Sequence, residues 1–290
     1  AAAEAVGIEP RNVILHPMLA GGSFDRNFDN QIAAQVAVLS QRSGRPVQLI
    51  WSRPEDIMRD HVRPPALARM TGTLNHLGQV AGLSVKVSSP SALRQWAGRL
   101  DGGSASEAIA NTADEFDPLA LAGAVPPYNI ANITVDHFPV GLPVPVGPYR
   151  AQAHGINAFF IESFIDELAY KAGIEPLSFR MQMLSGQPRL ARCLTGVSAM
   201  AGWDGGLAGS SKGIACHSMA GSHIAIVAIA KTTEQGVRVE SISATVDCGR
   251  LINPDIARQG LQMARSRFNP QIKQSSLEDG RPGIQRCRHR

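Results

Sequence analysis

The chain has 290 residues, of which 44% are hydrophobic and 18% charged, a composition that excludes a disordered chain and allows a core large enough for two domains. Its formal net charge of +4 is uneven: residues 263–290 carry seven Lys/Arg against two Asp/Glu, a net of +5, leaving −1 for the rest. That basic tail has neither heptads nor interleaved aromatics, so it does not read as a nucleic-acid-binding element.

In chain order, "AAAEAVG" reads as the end of a helix with Gly7 as its cap, and it lacks the basic start of a signal peptide. The chain is therefore expected to begin inside a longer protein. "NVILHPM" (Asn12–Met18) is predicted as a short buried strand. After the glycine pair Gly21–Gly22, a helix is predicted from Asp29 to Ser43, with Ile32, Val36 and Leu39 at helical spacing and Gly44 and Pro46 ending it. "PVQLIWS" is the next predicted strand, completing a strand-loop-helix-strand unit, and Pro54 opens a short helix.

The β-branched segments "ALARMTGTLNH" and "QVAGLSVKVSS" flank a turn at Gly78 and predict a hairpin. Residues 89–127 read as an insertion of short helices and loops, and "YNIANITVDHFPV" as a returning strand. "GLPVPVGPYR" (Gly141–Arg150), with three prolines and two glycines, is neither helix nor central strand and marks a domain junction. The strongest helix follows in "HGINAFFIESFIDELAYKAG", with Ile156, Phe159, Phe160, Phe164 and Leu168 as its apolar stripe. Pro176 opens another helix, "HIAIVAIAKT" and "VRVESISATVDCG" form a hairpin, and Asn253 caps a helix with Pro254 in its first turn. No apolar run approaches the ~20 residues that span a bilayer, so the chain is expected to be soluble or held to a membrane through a partner.

Several constellations invite chemistry. A glycine pair leading into a helix can offer unpaired N–H groups to an anion, but it equally makes a plain turn, and Asp25 and Asp29 would repel a bare phosphate. Gly205–Gly213 lacks the Walker A order, and no nucleophile elbow, metalloprotease helix or calcium loop is present. Glu162 and Asp166 sit four apart on one helix and read first as a solvated face. Arg150 is either an anion clamp or an interface salt-bridge residue. Cys193, Cys216, Cys248 and Cys287 show no CxxC spacing; Cys216 and His217 should point to opposite faces of a strand, as a buried thiol and a surface imidazole rather than as zinc ligands.

Four stretches taken in order carry more than any of these. "LAGGSFDRN" resembles a "GGGFGRR" loop and "VQLIWSRPEDIMRDHVRPP" resembles "VKLVWTREEDM…RP". "GPYRAQAHGINAFFIESFIDELAYKAGIEPLSFRMQML" resembles "GxWRxxxxxxNAFxxESFIDELA…G…DPLxFRxxLL", and "VDCGRLINPDIARQ" resembles "VDCGxxVNPDxxxxQ". All four patterns are those of the molybdenum-binding large subunit of the xanthine dehydrogenase/aldehyde oxidase family, and the chain resembles its isoquinoline 1-oxidoreductase beta-subunit type. The resemblance covers Ala1 to Gln262 and falls in the middle of a longer subunit.

The resemblance implies an α/β fold with mixed sheets, forming a two-domain portion of that subunit. It divides into a first cofactor-binding domain over residues 1–140, a second over 141–262, and an atypical basic tail without regular structure over 263–290. It implies a parent enzyme that oxidises an aldehyde or N-heterocycle with water-derived oxygen and passes electrons to a small iron–sulfur subunit. The implied cofactor is molybdopterin with molybdenum, in its cytosine dinucleotide form. Gly21, Gly22, Ser23 and Phe24 would form the loop over the molybdenum ligands, Arg150 the second cofactor-proximal loop, and Gly221, Ser222 and Gln259 further loops near the pterin.

Two departures from the family pattern bear on function. Asp25 stands where the family has glycine, adding charge where backbone should approach the ligand. The family's general-base glutamate lies in a "GxGE" segment that this sequence does not contain, so no catalytic residue is assigned. The fragment alone is expected to bind cofactor poorly and turn over nothing, and its tail reads as shifted-frame or foreign sequence. The competing expectation is a non-catalytic binding or assembly module that kept the fold and lost the cofactor. Substrate identity and compartment, cytoplasm or periplasm, are open.

Overall fold

The computed structural model describes residues 1–18, 22, 31–206, 209–234, 236–266, 279–280 and 284–287. Helices and sheets are mixed: helices α1 (Ala2–Val6), α2 (Gln31–Ser43) and α3 (Arg53–Arg59) precede strands β1 (Leu67–Leu74) and β2 (Val80–Ser89). Helices α4 (Ala92–Leu100) and α5 (Ala105–Thr112) lead to β3 (Asn132–Pro139), then α6 (His154–Ala172), α7 (Pro176–Gln182) and α8 (Pro188–Ala201). Strands β4 (Lys212–Met219), β5 (Ser222–Thr233) and β6 (Gly236–Asp247), helix α9 (Pro254–Ser266) and short strands β7 (Asp279–Gly280) and β8 (Ile284–Cys287) follow, and two 3-10 turns lie at Pro10–Asn12 and Pro118–Leu121. No helix among the described residues is long and apolar enough to cross a membrane.

Two compact units emerge, each assembled from separated segments. One gathers residues 1–69, 86–122 and 136–153; the other gathers residues 70–85, 123–135 and 154–290. Strands β1, β2 and β3 form a three-stranded sheet in that order.

In the first unit, local chemistry sets the helix ends. Ser52 caps α3, its Oγ accepting from the Glu55 amide, with Pro54 in the first turn. Ser104 and Glu107 exchange side-chain and backbone bonds as a capping box at the start of α5, satisfying two otherwise orphaned amides. The expected helix appears as α2, with residues 29 and 30 outside the described set. The two flanking strands do not appear: residues 13–18 and 46–52 have no strand partner among the described residues, and Ile14, Leu15 and Ile50 are 77–78% exposed. β propensity reports a fit to a pleated surface and cannot make a strand where no neighbour takes up the backbone bonds.

In the second unit, β4, β5 and β6 run antiparallel, with a register shift between Ile229 and Ala230. β8 pairs with β6, and β7 with β8, at the far edge. Helix α8 buries Leu190, Cys193, Leu194, Val197 and Met200 and packs on β5 and β6. Burying such side chains contributes about 1.5–3 kcal/mol each, which is why α8 is fixed despite a polar outer face. Burial pushes the Cys193 thiol up to about 11, marking it as a packing residue rather than a reactive one.

The expected stripe on α6 is met in part: its Leu168 is buried and its Ile156, Phe160 and Phe164 are half-buried, but the most buried face lies to one side of it. Ile161, Ile165, Leu168 and Ala169 are buried, together with Asn157 and Glu162, whereas Phe159 is 63% exposed. Apolar residues occur on more than one face of this helix, so periodicity alone does not select its buried side. What selects it is polar: Arg180 of α7, fully buried, donates from Nε to Glu162 Oε2 at 3.0 Å and from Nη1 to Asp166 Oδ1 at 2.6 Å.

Candidate functional site

The Gly141–Arg150 segment is held in the first unit by three groups of contacts. Val62 donates its amide to the Pro145 carbonyl at 3.0 Å and forms an isolated parallel bridge with Val146. Buried Gln95 of α4 accepts the Val146 amide at 3.1 Å, and buried Arg99 donates to the Val146 carbonyl at 3.1 Å. The ring of buried His61 donates from Nε2 to the Pro148 carbonyl at 2.7 Å. A Cβ at Gly147 would lie 2.6 Å from the His61 ring, so this close approach requires glycine. Proline removes backbone donors from the segment, and side chains from α4 and residues 61–62 take over as its partners.

The segment ends in an unusual turn. Gln152 donates its amide to the Tyr149 carbonyl at 2.6 Å, while Ala151 and Gln152 have φ of 63° and 45°, consecutive left-handed residues without glycine. Each such residue costs of order 1–3 kcal/mol, and such strain concentrates at ligand clamps and other functional sites. Arg150 sits in this turn, half-buried.

A cleft of about 430 Å³ in the same unit is lined by Gln35, Trp51, Glu55, Arg59, His61 and Arg99, among others. Gln35 accepts from the Trp51 indole at 3.2 Å, and Arg59 pairs with Glu55 at 2.8 Å.

In the second unit the proposed loop residues Gly221 and Ser222 lie at the β4–β5 turn. Ala220 and Gly221 have φ of 49° and 74°, and Ser222 opens β5 opposite Met219. Arg189 of α8 donates from Nη1 to the Gly221 carbonyl at 3.0 Å and from Nε and Nη2 to the Asp247 carboxylate at 3.0 and 2.6 Å. It thereby ties this turn to the "VDCG" segment at the end of β6. The Arg189 bonds, against the opposing effect of burial, hold Asp247 below the usual carboxylate range, and the Gly249 amide lowers it further.

Gln259 is exposed on α9, whose first turn is capped by Asn253 Oδ1 accepting the Asp255 and Ile256 amides at 3.1 Å. Gly22 is exposed with φ of 112°, a backbone open to glycine. Gly21, Ser23, Phe24 and Asp25 lie outside the described residues. The structure thus brings Gly221 and Ser222 together, and it locates Arg150 in the first unit and Gln259 in the second.

The Glu162–Asp166 pair corrects the solvated-face expectation at one of its two members. Glu162 is only 6% exposed, accepting from the Tyr128 hydroxyl at 2.7 Å, from Arg180 and from the Cys216 amide at 2.8 Å. Burial pushes the Glu162 carboxyl up, and Arg180, Tyr128 and the Cys216 amide pull it back. The Arg180 cation is penalised by burial but more than compensated by Glu162, Tyr128 and Asp166, so it stays charged. This carboxylate satisfies the edge strand and a buried guanidinium, a structural task rather than a catalytic one. Cys216 is buried as read, and burial beside Glu162 pushes its thiol up. His217 is half-buried, its Nε2 2.9 Å from His154 Nδ1.

The molybdopterin cofactor-binding domain model matches residues 1–184. The chain belongs to the molybdopterin cofactor-binding domain family. Within the family's wider relatives, it is 26% identical over 269 residues to isoquinoline 1-oxidoreductase subunit beta of Brevundimonas diminuta, covering 90% of this chain and 33% of that one. It is 31% identical to the aldehyde oxidoreductase molybdenum-binding subunit PaoC of Escherichia coli K12, over 62% of this chain and 22% of that one. The solved aldehyde oxidoreductase of Desulfovibrio gigas shares the fold with a TM-score of 0.50 at 21% identity, over 82% of this chain and 27% of that one. The chain therefore spans a third or less of the length of each of these proteins.

The described residues of this molybdopterin-domain chain fit an anionic, phosphate-bearing group. The turn at Ala151–Gln152 takes consecutive left-handed φ values, and the half-buried Arg150 that precedes it carries a cation, the charge that suits such a group. Sequence reasoning named Arg150 but not Arg63, His61, Gln95 or Arg99 around it. The signal for Arg63 was the arginine of "VRPP" inside a matched segment, and His61 stands two residues before it.

Proposed function

We propose that this chain is the central part of a molybdenum hydroxylase large subunit whose parent oxidises an aldehyde or N-heterocycle with water-derived oxygen and passes the electrons to a small iron–sulfur subunit. The carrying observation is the family match over residues 1–184, which contains the built and strained Arg150 turn. When bound, molybdopterin with its molybdenum, in the cytosine dinucleotide form, supplies the two-electron chemistry. The chain's own task is to bind and orient that group. By the family resemblance, Gly21, Gly22, Ser23 and Phe24 would serve the molybdenum end of that group, Arg150 would offer it a cation, and Gly221, Ser222 and Gln259 would serve its pterin. Residues 1–140 and 141–262 carry the first and second cofactor-binding portions.

No group in this chain is assigned as the base, so the chain alone is inactive. Metal and pterin analysis of the purified chain, with and without added cofactor, combined with dye reduction by aldehydes and heteroaromatics, tests this reading. The expected result is little molybdenum after purification, measurable uptake of added cofactor, and no dye reduction. Stoichiometric molybdenum with substrate-dependent dye reduction overturns the inactivity. No uptake at any cofactor concentration selects a non-catalytic assembly module instead.

A further inference from the structure

We propose that Arg63 is the positioning residue of the Arg150 turn, holding its strained backbone in the shape that receives the anionic cofactor. The inference rests on the reading above that this turn faces the cofactor, and adds a residue which that reading does not name.

Arg63 reaches the turn at three points. Its Nη2 donates to the Arg150 carbonyl at 2.9 Å, its Nη1 donates to the Gln152 carbonyl at 3.2 Å, and its guanidinium carbon lies 4.5 Å from the centre of the Tyr149 ring. The planar fork thus bridges two carbonyls on either side of Ala151 while stacking on the residue that starts the turn. A lysine cannot reproduce that: it has one ammonium and no plane to match.

The strain explains why a clamp is needed. Ala151 and Gln152 both take left-handed φ values, which L residues adopt only when the surroundings fix them. The segment before them is fixed by Val62, His61, Gln95 and Arg99, all of which bond to residues 145–148. Those contacts end at Pro148. Beyond it, Arg63 carries the hold across Arg150 and Gln152, where α6 has not yet begun.

The geometry has a chemical consequence. A guanidinium bonded to two carbonyls of the turn fixes their direction, and with them the backbone that carries Arg150. It also adds a second cation next to Arg150. Loss of Arg63 therefore releases the turn and weakens anion binding together, with no bond to the cofactor required of Arg63 itself.

The test uses the 290-residue chain and its Arg63→Lys, Arg63→Ala, Tyr149→Leu and Arg150→Ala variants. Hydrogen exchange is followed at the amides of residues 149–153, with those of β2 as the internal control, and uptake of added molybdopterin cofactor is titrated by bound molybdenum. Arg63 is exposed, so its variants are expected to fold with thermal midpoints near the parent value, and β2 exchange checks the fold of Tyr149→Leu and Arg150→Ala, whose side chains are half-buried. Arg63→Ala should speed exchange in the turn about tenfold or more, the equivalent of about 1.4 kcal/mol, with β2 unchanged. Cofactor affinity should fall by a similar factor, with Arg63→Lys and Tyr149→Leu between the two.

Unchanged exchange at residues 149–153 in Arg63→Ala overturns the inference, whatever the cofactor does. Faster exchange with cofactor uptake equal to the parent in both Arg63→Ala and Arg150→Ala overturns the cofactor role of the turn. The exchange rates then separate that failure from failure of the clamp.

Discussion

Arg180 joins α6 and α7 inside the second unit. It is fully buried and bonds to the Glu162 carboxylate and carbonyl, to Asp166 and to the Pro176 carbonyl. Replacing it with methionine keeps most of the volume but strands Glu162 as a buried charge, a change that costs about 3–5 kcal/mol. Arg180→Met should therefore lower the denaturation midpoint sharply, while the pair Glu162→Gln with Arg180→Met should recover a substantial part. Equal destabilisation of single and double variants in urea melts would show that packing, not charge pairing, sets the cost. "ESFIDELA" and "PLSFR" were legible as helices and as family motifs. Their mutual ion network was not, because spacing within one helix carries no information about a partner eighteen residues away in the chain.

Asp247 gives a pH dependence at the same scale. Its carboxylate is held below the usual range by Arg189, and an acid whose folded pKa is depressed stabilises the fold above its unfolded value. That contribution is present above about pH 4, the unfolded aspartate value, and is lost as pH falls through the lower folded value. Asp247→Asn should flatten the acid limb of a stability-versus-pH curve, and an unaltered limb would count against the Arg189–Asp247 tie.

Elements meet at the contact of α6 with β4, where His154 and His217 lie 2.9 Å apart with rings edge to face. Burial lowers both imidazoles, and for His217 the neighbouring His154 adds to the effect. Folded values below the unfolded ~6.5 mean that the unfolded chain binds more protons, so this contact stabilises above pH 6.5 and weakens as pH falls below it. Melts between pH 5 and 7.5 should show a loss on the acid side that His217→Gln reduces and that His154→Gln with His217→Gln reduces further. The same contact fixes Gly123, whose φ is 80° and whose added Cβ would sit 2.7 Å from His154 Nδ1. Gly123→Ala should cost of order 1–3 kcal/mol from the backbone alone, before the overlap is relieved. Sequence patterns found the long helix, the β1–β2 and β5–β6 hairpins and the Asn253 cap, since each is written in local periodicity or turn chemistry. They missed α8, and on α6 they included the exposed Phe159 and left out Ile161, Ile165 and Glu162, which the contacts with neighbouring elements bury.

At the scale of the whole chain, contacts and chain order partition the molecule differently. A division near residue 140 is a division in chain order, whereas the contact units interleave three segments each. The second unit includes residues 70–85 and 123–135, and their contributions are specific. Gly72 of β1 is close-packed under Leu168 and Phe164 of α6, with a Cβ there placed 3.0 and 3.1 Å away. Asn129 donates its amide to the Met183 carbonyl at 2.7 Å, and Tyr128 completes the Glu162 network. A chain of residues 141–290 loses all three, leaving Glu162 short of one donor and the α6 face open where β1 covered it. Loss of buried apolar area and of one buried bond should together remove several kcal/mol from a margin of about 5–15 kcal/mol. We therefore expect residues 141–290 alone to melt non-cooperatively or at much lower denaturant than the full chain. Addition of residues 66–140 as a separate polypeptide should restore the transition in part. A cooperative melt of 141–290 at the full chain's midpoint would show instead that the cofactor-binding portions fold as divided in sequence, with the β1–β2 hairpin contributing little to the second unit.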